Sequence, residues 1–430
     1  MRERKDQGKS SQPSFGQYID HTKRLLKLFR MWELGNDLSK WKTTFVTINT
    51  VVLLASNFCL GLSELKKLQS AADLTRVASG IGAFWLHFLG FFKWLYLVWN
   101  TFSVMDLVEQ LEECYNLSLG LSDSDEGKKK IKKYLMAQKR SLKFLYVWSF
   151  LVLYGIVHWC MNPILLQSSS KGSLNTSLQD DSERLLPYEA WIPWDTKKLL
   201  GYWYAYLFEF VGGFASGIGS VSYDVFYLTL IMMICAQFRY LNYVLVDLRE
   251  NNSTEVFIET LLKEKVLIVR FLASFEKVTS PVMFVQCIGT MGILCLVSFE
   301  VTTIKLKVGD MKNSIKVWSM FEYIIACFTQ LLAFCYYANE VTILGFQVGD
   351  SAYSCGWESL ESDKKISTID EATKKDRKAV GFLIREIIMR AQTPIRLTGG
   401  PFYVLSLETY RAVVSAAFSY SAVLRELGVE

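Results

Sequence analysis

Histidine is almost missing from this sequence, three in 430 residues, which leaves little scope for metal chemistry or a Ser-His-Asp arrangement. No paired-carboxylate or phosphate-loop pattern stands in its place, so no enzyme activity, metal or cofactor is expected. Paired cysteine motifs are missing too. The nine cysteines are scattered singly, without C-x-x-C or metal-ligand spacing, so neither a disulfide framework nor a zinc site is indicated. Most of them fall inside apolar runs, where cysteine serves as a small core residue. A strong excess of one charge is also lacking. The net charge of +5 is spread over loops, which argues for anchoring at a membrane surface and against nucleic acid. The first 42 residues contain ten Lys and Arg and no apolar run that reads as a signal peptide.

Apolar surface, by contrast, is abundant. The chain is 51% hydrophobic and 14% aromatic, with positive mean hydropathy. Its apolar runs approach the length that crosses ~30 Å of hydrocarbon. Seven crossings are expected: Thr43 to Leu62, Val77 to Trp99, Phe144 to Pro163, Leu199 to Met232, Val282 to Val301, Trp318 to Leu344 and Tyr403 to Leu427. The fold class is therefore an all-α polytopic membrane protein. Mixed-charge segments from Asp106 to Arg140 and from Arg239 to Glu276 read as helices that prolong the spans into water.

Charge bias orients the chain. The N-terminal arm and the loops after the second, fourth and sixth spans hold 33 Lys and Arg, and the other three loops hold 11. By the positive-inside rule the N-terminus is cytoplasmic and the C-terminus, after seven crossings, is outside. Asn175-Thr176-Ser177, in the second outer loop, is a usable glycosylation acceptor.

The last span stands apart. Eight Ser, Thr or Tyr residues lie between Tyr403 and Leu427, together with Glu408 and Arg411. Lipid offers a hydroxyl no partner, so this helix is a candidate pore lining. Ser406, Thr409, Val413, Ala416, Tyr420, Val423 and Leu427 recur at steps of three and four and share one face. A ring of Val423 and Leu427 can close such a pore by dewetting. Glu426 near the mouth can concentrate cations, while Arg425 pairs with neighbours or reaches headgroups. Ordinary helix packing is the alternative for Val423 and Leu427.

Several motifs together resemble the insect odorant receptor family. They are Leu397-Thr398-Gly399-Gly400, Phe402, Ser419-Tyr420 and Val423-Leu424-Arg425-Glu426-Leu427 in the tail, Asp350-Ser351, Tyr353, Cys355 and Trp357 after the sixth span, and Leu186-Pro187-Tyr188, Trp191, Pro193 and Asp195 in the second outer loop. Ser419-Tyr420 and Glu426, and the lack of a long insertion in the second cytoplasmic loop, set it apart from the family's shared co-receptor, Orco. It resembles a ligand-tuned subunit.

The resemblance implies a tetrameric, odorant-gated, non-selective cation channel in the plasma membrane of olfactory neuron dendrites. Its implied partners are a small volatile hydrophobic ligand, Orco subunits and the lipid bilayer, with no nucleic acid. The last helix would line the pore, with Val423 and Leu427 at the gate and Tyr420 and Glu426 beside it. The odorant pocket is expected among Phe84 and Phe88, Val152, Gly155 and Trp159, Tyr206, Phe210 and Phe214, and Phe321, Ile324 and Phe328. Lys93, Glu209 and Glu322 are further candidates for a polar ligand head, with structural pairing the favoured role for Glu209; His87 and His158 read as packing residues.

The implied organisation is a cytoplasmic arm over 1–42, six helices forming the odorant-binding domain over 43–345, a cytoplasmic anchor over 346–400, and the pore helix with a short tail over 401–430. Within the anchor, Ala379, Phe382, Leu383, Ile387 and Ile388 predict an amphipathic helix. Thr398-Gly399-Gly400-Pro401 predicts a flexible break before the last span. A gustatory-type homomeric channel and a non-channel metabotropic receptor or carrier are the alternative functions.

Overall fold

The computed structural model describes residues 15–32, 39–70, 74–120, 125–171, 184–247, 255–304, 311–355 and 371–427. Asn175 and Trp357 lie outside the described residues. Among the described residues ten helices run in order: α1 Gly16–Leu28, α2 Lys40–Leu68, α3 Leu74–Trp99, α4 Thr101–Gly120, α5 Asp125–Lys171, α6 Leu199–Asp247, α7 Glu255–Thr303, α8 Met311–Tyr353, α9 Glu371–Ala391 and α10 Leu407–Leu427. A small hairpin of β1 (Thr398–Gly399) and β2 (Tyr403–Val404) precedes α10.

Among the described residues, α2, α3, α5, α6, α7 and α8 are long and apolar enough to cross a membrane. The last helix has 21 residues but carries Glu408, Arg411, Arg425 and Glu426. It is therefore not among these six. Helices α5, α6 and α7, at 47, 49 and 49 residues, are more than twice as long as the ~20 residues a bilayer needs. Their surplus, with α4 and α9, forms a second packed region beyond the spans. There Ser118 donates to Glu264 at 2.6 Å, and the Lys265 ammonium donates to the Ile387 carbonyl at 2.7 Å.

The axis of the bundle is α6. Its most apolar stretch is 94% buried, against 17% for α2 and α5. A helix that is apolar on every side suits a protein core and a membrane interior alike, and its neighbours decide which. Here α2, α3, α5 and α8 surround it. Helices α2 and α5 sit outermost and expose Phe45, Val51 and Phe58, and Val147, Phe150 and Leu151, as a lipid-facing surface does. Close approach of α3 to α6 depends on glycine. A Cβ at Gly90 would strike the Ser216 carbonyl, and one at Gly219 would strike the Gly90 carbonyl.

The chain's first helix is more than an arm. Phe15, Tyr18, Ile19 and Leu26 are buried, and the Thr22 and Thr229 hydroxyls bond at 2.9 Å, docking α1 on α6. The expected amphipathic helix is present as α9. It buries Val380, Ile384, Ile387 and Ala391 and leaves Phe382 exposed, so its inner face is rotated from the expected set.

The expected flexible break is instead a fastened hairpin. Thr398 pairs with Val404 and Gly399 with Tyr403, and the turn uses Gly400 at φ 64°, a left-handed value that favours glycine. The Gly400 N–H donates to Ser280 Oγ at 2.9 Å, and the Thr398 hydroxyl donates to Glu276 Oε1 at 2.6 Å. Both partners lie on α7, so the entry to α10 is tied to that helix.

Candidate ligand cavity and last helix

A cavity of about 380 Å³ lies inside the bundle, walled by α3, α5, α6, α7 and α8. Gly82, Ala83 and Leu86 come from α3, Val152, Gly155, Ile156 and Trp159 from α5, Gly213 and Gly217 from α6, Ile293 and Val297 from α7, and Met320, Tyr323 and Ala326 from α8. A volume of this size falls in the range of small-molecule sites. Gly82 and Gly155 have nothing within 4 Å of where a Cβ would stand, which is how they keep the cavity open. Val147, Leu151 and Tyr154 on α5 and Ile325 on α8 line it as well, yet all four are more than half exposed. The cavity therefore also reaches the outer surface between α5 and α8.

Of the expected pocket residues, the structure brings Val152, Gly155 and Trp159 to this cavity. The others stand elsewhere. Phe84 and Phe88 stack on each other at 6.0 Å, in a ladder that continues through Phe92 and Tyr96. The Tyr206 hydroxyl donates to the Cys160 carbonyl at 2.6 Å. Phe210 and Phe214 stack at 6.1 Å, Phe210 against the cluster of Leu60, Cys160 and Tyr188. Phe321 is half exposed. Ile324 and Phe328 pack on the cluster that includes Ala417 of α10, and Phe328 meets Phe418 at 6.0 Å. The aromatic residues that do line the cavity, besides Trp159, are Phe144, Trp148, Tyr154, Tyr188 and Tyr323, a different set from the one expected.

A strap over 184–198 crosses one end of the cavity. Tyr188, on that strap, lines it and sets its ring edge-on to His87 at 4.6 Å. Trp159 Nε1 donates to the Pro187 carbonyl at 3.1 Å. The Trp191 N–H donates to the Ser63 carbonyl at 3.1 Å, and the Lys66 ammonium lies 3.2 Å from the Trp191 ring centre.

The ionisable residues singled out in the spans, Lys93, Glu209, Glu322, His87 and His158, each have a partner. Glu209 accepts the Tyr188 backbone N–H, in keeping with a structural role. His87 and Glu64 pair at 2.9 Å, Lys93 and Asp224 at 2.7 Å, and His158 and Glu322 at 2.9 Å. Asp224, which lines the cavity, was missed by sequence reading. Its signal is a lone carboxylate within an apolar run, but its partner sits 131 positions away and no local pattern connects them. Among the described residues no group of His, Cys, Asp and Glu has metal-binding geometry.

The last helix packs on α7 and α8 through Ala417 and Ser421, which are buried, with Leu424 beside them. Tyr420 and Val423 point the other way and are 57% and 52% exposed. Glu426 is also exposed; Leu427 ends the helix. Part of the hydroxyl stripe serves the helix start. Ser406 Oγ accepts the Thr409 N–H at 3.1 Å, and the Thr409 hydroxyl donates to the Val404 carbonyl at 2.5 Å, an N-cap that uses up both groups. Val413 packs against the main core.

These features define a polytopic helical membrane protein with an internal cavity for a small molecule. The family model described as 7tm Odorant receptor matches residues 74–418. Odorant receptor 13a of Drosophila melanogaster is 21% identical over 418 residues, 94% of each chain. Odorant receptor 67c of the same organism is 23% identical, over 57% of this chain and 56% of that one. The odorant receptor coreceptor of Harpegnathos saltator is 24% identical, over 39% and 33%. Among solved structures, olfactory receptor OR5 of Machilis hrabei in complex with eugenol superposes with a TM-score of 0.75 at 16% identity, over 96% of this chain and 98% of that one. The chain belongs to the 7tm odorant receptor family.

Proposed function

We propose that this chain is the odorant-binding, ligand-tuned subunit of an odorant-gated, non-selective cation channel. It works in the plasma membrane of olfactory neuron dendrites, in a tetramer with Orco-type co-receptor subunits. The observation that carries the reading is that α7 and α8 each form a wall of the cavity and also hold α10. Filling the cavity thus acts on the two helices that position the last one. Two relatives lend support, one an olfactory receptor in complex with eugenol and one a coreceptor.

In this reading Val152, Gly155 and Trp159 contact the odorant. Tyr420, Val423 and Leu427 face the pore, and Val423 and Leu427 form its gate, with Glu426 near the mouth. The N-terminus is inside and the C-terminus outside, as the charge bias requires, and Asn175 is glycosylated. An odorant that buries roughly 250 Å² gains about 6 kcal/mol at ~25 cal/mol per Å². Switching a channel from nearly closed to nearly open takes about 5.5 kcal/mol of differential binding. One small ligand must therefore spend most of its binding energy on distinguishing the two states, or the channel opens partially.

The test is voltage-clamp recording of cells expressing this chain with and without an Orco co-receptor, challenged with a panel of volatile odorants. Odorant-evoked cation current is expected only with the co-receptor, with basal current raised by Val423→Ser. Odorant current from this chain alone indicates a homomeric, gustatory-type channel. A calcium rise without membrane current indicates a metabotropic receptor. A C-terminal tag that stains only after permeabilisation overturns the topology.

A further inference from the structure

One end of the cavity is polar beyond what enclosing an apolar ligand needs. Asp224 of α6 accepts at Oδ1 from the Lys93 ammonium of α3 at 2.7 Å, and both side chains are fully shielded. Its Oδ2 accepts from Gln330 Nε2 of α8. Gln330 Oε1 in turn accepts from Gln286 Nε2 of α7 at 3.0 Å, and that same nitrogen donates to the Thr290 hydroxyl at 2.7 Å. The chain of bonds stops there. Gln286 is 2% exposed, and its Oε1 has no partner. Asp224, Gln330, Gln286 and Thr290 all line the cavity.

The direction of these bonds is forced. An ammonium only donates and an ionised carboxylate only accepts, so Gln330 must turn its NH2 group toward Asp224. Its carbonyl oxygen then faces Gln286, which must answer with its own NH2. The oxygen of Gln286 is what remains. A fixed charge on α3 thus decides that Gln286 turns its acceptor oxygen to the cavity, while the Thr290 O–H and the second Gln330 N–H on the same wall are donors that serve alcohol and ether oxygens alike. A buried carbonyl oxygen without a partner is costly, and a ligand that donates to it recovers the cost.

We propose that the cavity prefers small apolar molecules bearing a hydroxyl, alcohols or phenols, over ethers of the same skeleton, and that Gln286 Oε1 accepts the ligand hydroxyl. This rests on the reading of the cavity as the odorant site. The two carboxylates on the wall near the α7–α8 connection are already engaged, Glu300 by Lys316 and Glu322 by His158 and Trp318. The Tyr323 hydroxyl, also on the wall and unpartnered, is roughly 10 Å along α8 from Gln330 at 1.5 Å per residue. It donates to any oxygen and does not separate alcohols from ethers.

The test measures responses of cells co-expressing this chain and a co-receptor to hexan-1-ol, octan-1-ol and 2-phenylethanol and to their methyl ethers. The unaltered receptor is expected to answer the alcohols at lower concentration. Gln286→Leu is expected to reduce that alcohol-to-ether ratio on the order of tenfold, with ether responses kept. Gln286→Met is the second variant, for use where Gln286→Leu fails to reach the cell surface. The double variant Lys93→Met with Asp224→Asn frees the amides to turn and is expected to narrow the ratio as well. Three results overturn the proposal: no alcohol preference in the unaltered receptor, a ratio unchanged by Gln286→Leu, or silence of that variant to both classes while it is at the surface. Gly155→Phe, which fills the cavity, tests the underlying reading separately. If it leaves every response intact, the cavity is not the odorant site.

Discussion

The backbone N–H of Tyr188 donates to Oε2 of Glu209 at 2.8 Å, so the strap over the cavity is fastened to the bundle's central helix by a buried carboxylate. Glu209 is fully buried, and removing its side chain leaves the Tyr188 N–H without an acceptor. Glu209→Ala is therefore expected to cost about 1–3 kcal/mol, read as a lower melting temperature of detergent-solubilised receptor. Glu209→Gln keeps an acceptor oxygen at the same place and is expected to be milder. Equal losses in the two variants would show that the bond to the strap does not matter.

Glycines divide into two kinds in this bundle. Gly90 and Gly219 lie where α3 and α6 touch, and a Cβ at either meets backbone. Each Ala substitution there is expected to destabilise by about 1–3 kcal/mol, through overpacking that rotamer change cannot relieve. Gly155→Ala enters open space and is expected to leave melting unchanged while weakening the responses to the bulkiest odorants. Surface expression and dose-response curves of the three variants separate the two kinds.

The hairpin before α10 makes a third prediction. At Gly400, φ 64° is costly for any residue with a Cβ, and that Cβ would also stand 2.8 Å from Phe284. Gly400→Ala is expected to loosen the attachment of the hairpin to α7 by about 1–2 kcal/mol. Amide hydrogen exchange over 397–405 is then faster than in the unaltered chain. Exchange that stays slow would mean that Ser280 and Glu276 hold the hairpin without the glycine.

Thiol chemistry offers a count. Cys59 is exposed and the other eight cysteines are buried. On α4, outside the spans, burial above all, with Glu264 and Glu113 adding to it, pushes the Cys114 thiol up to about 12. It is uncharged at neutral pH, and the thiolate is the reactive form. N-ethylmaleimide is expected to leave Cys114 unmodified in the folded protein, by peptide mapping, and to add nine times after denaturation, by intact mass.

Much of the architecture was readable because it depends on local composition. Apolar runs of sufficient length announce a span whatever surrounds them, and the six apolar helices lie where the runs are. The seventh was harder for the same reason. Its hydroxyls and charges set it apart from lipid-facing helices, yet they also place it below the hydropathy of a plain span. The lining of the cavity was largely not readable. Aromatic residues do line it, but Phe84, Phe88 and Phe210 pack between helices while Tyr154, Tyr188 and Tyr323 face the cavity, and its open space adjoins Gly82 and Gly155. An absent side chain leaves no local trace of whether it admits a neighbouring helix, as at Gly90, or a ligand, as at Gly155.

The amino-acid sequence by itself determined the membrane class, the positions of the apolar helices, the charge asymmetry of the loops and the family. Each follows from runs, counts and motifs that are local along the chain. Only the tertiary structure decided how each helix is turned about its own axis. On that rotation depend the pairing of Lys93 with Asp224, the leftover oxygen of Gln286, and the exposure of Val423 opposite Ala417. A helix such as α6, apolar all round, encodes no preferred face of its own. Its rotation is set by backbone contacts at Gly90 and Gly219, between residues more than a hundred positions apart.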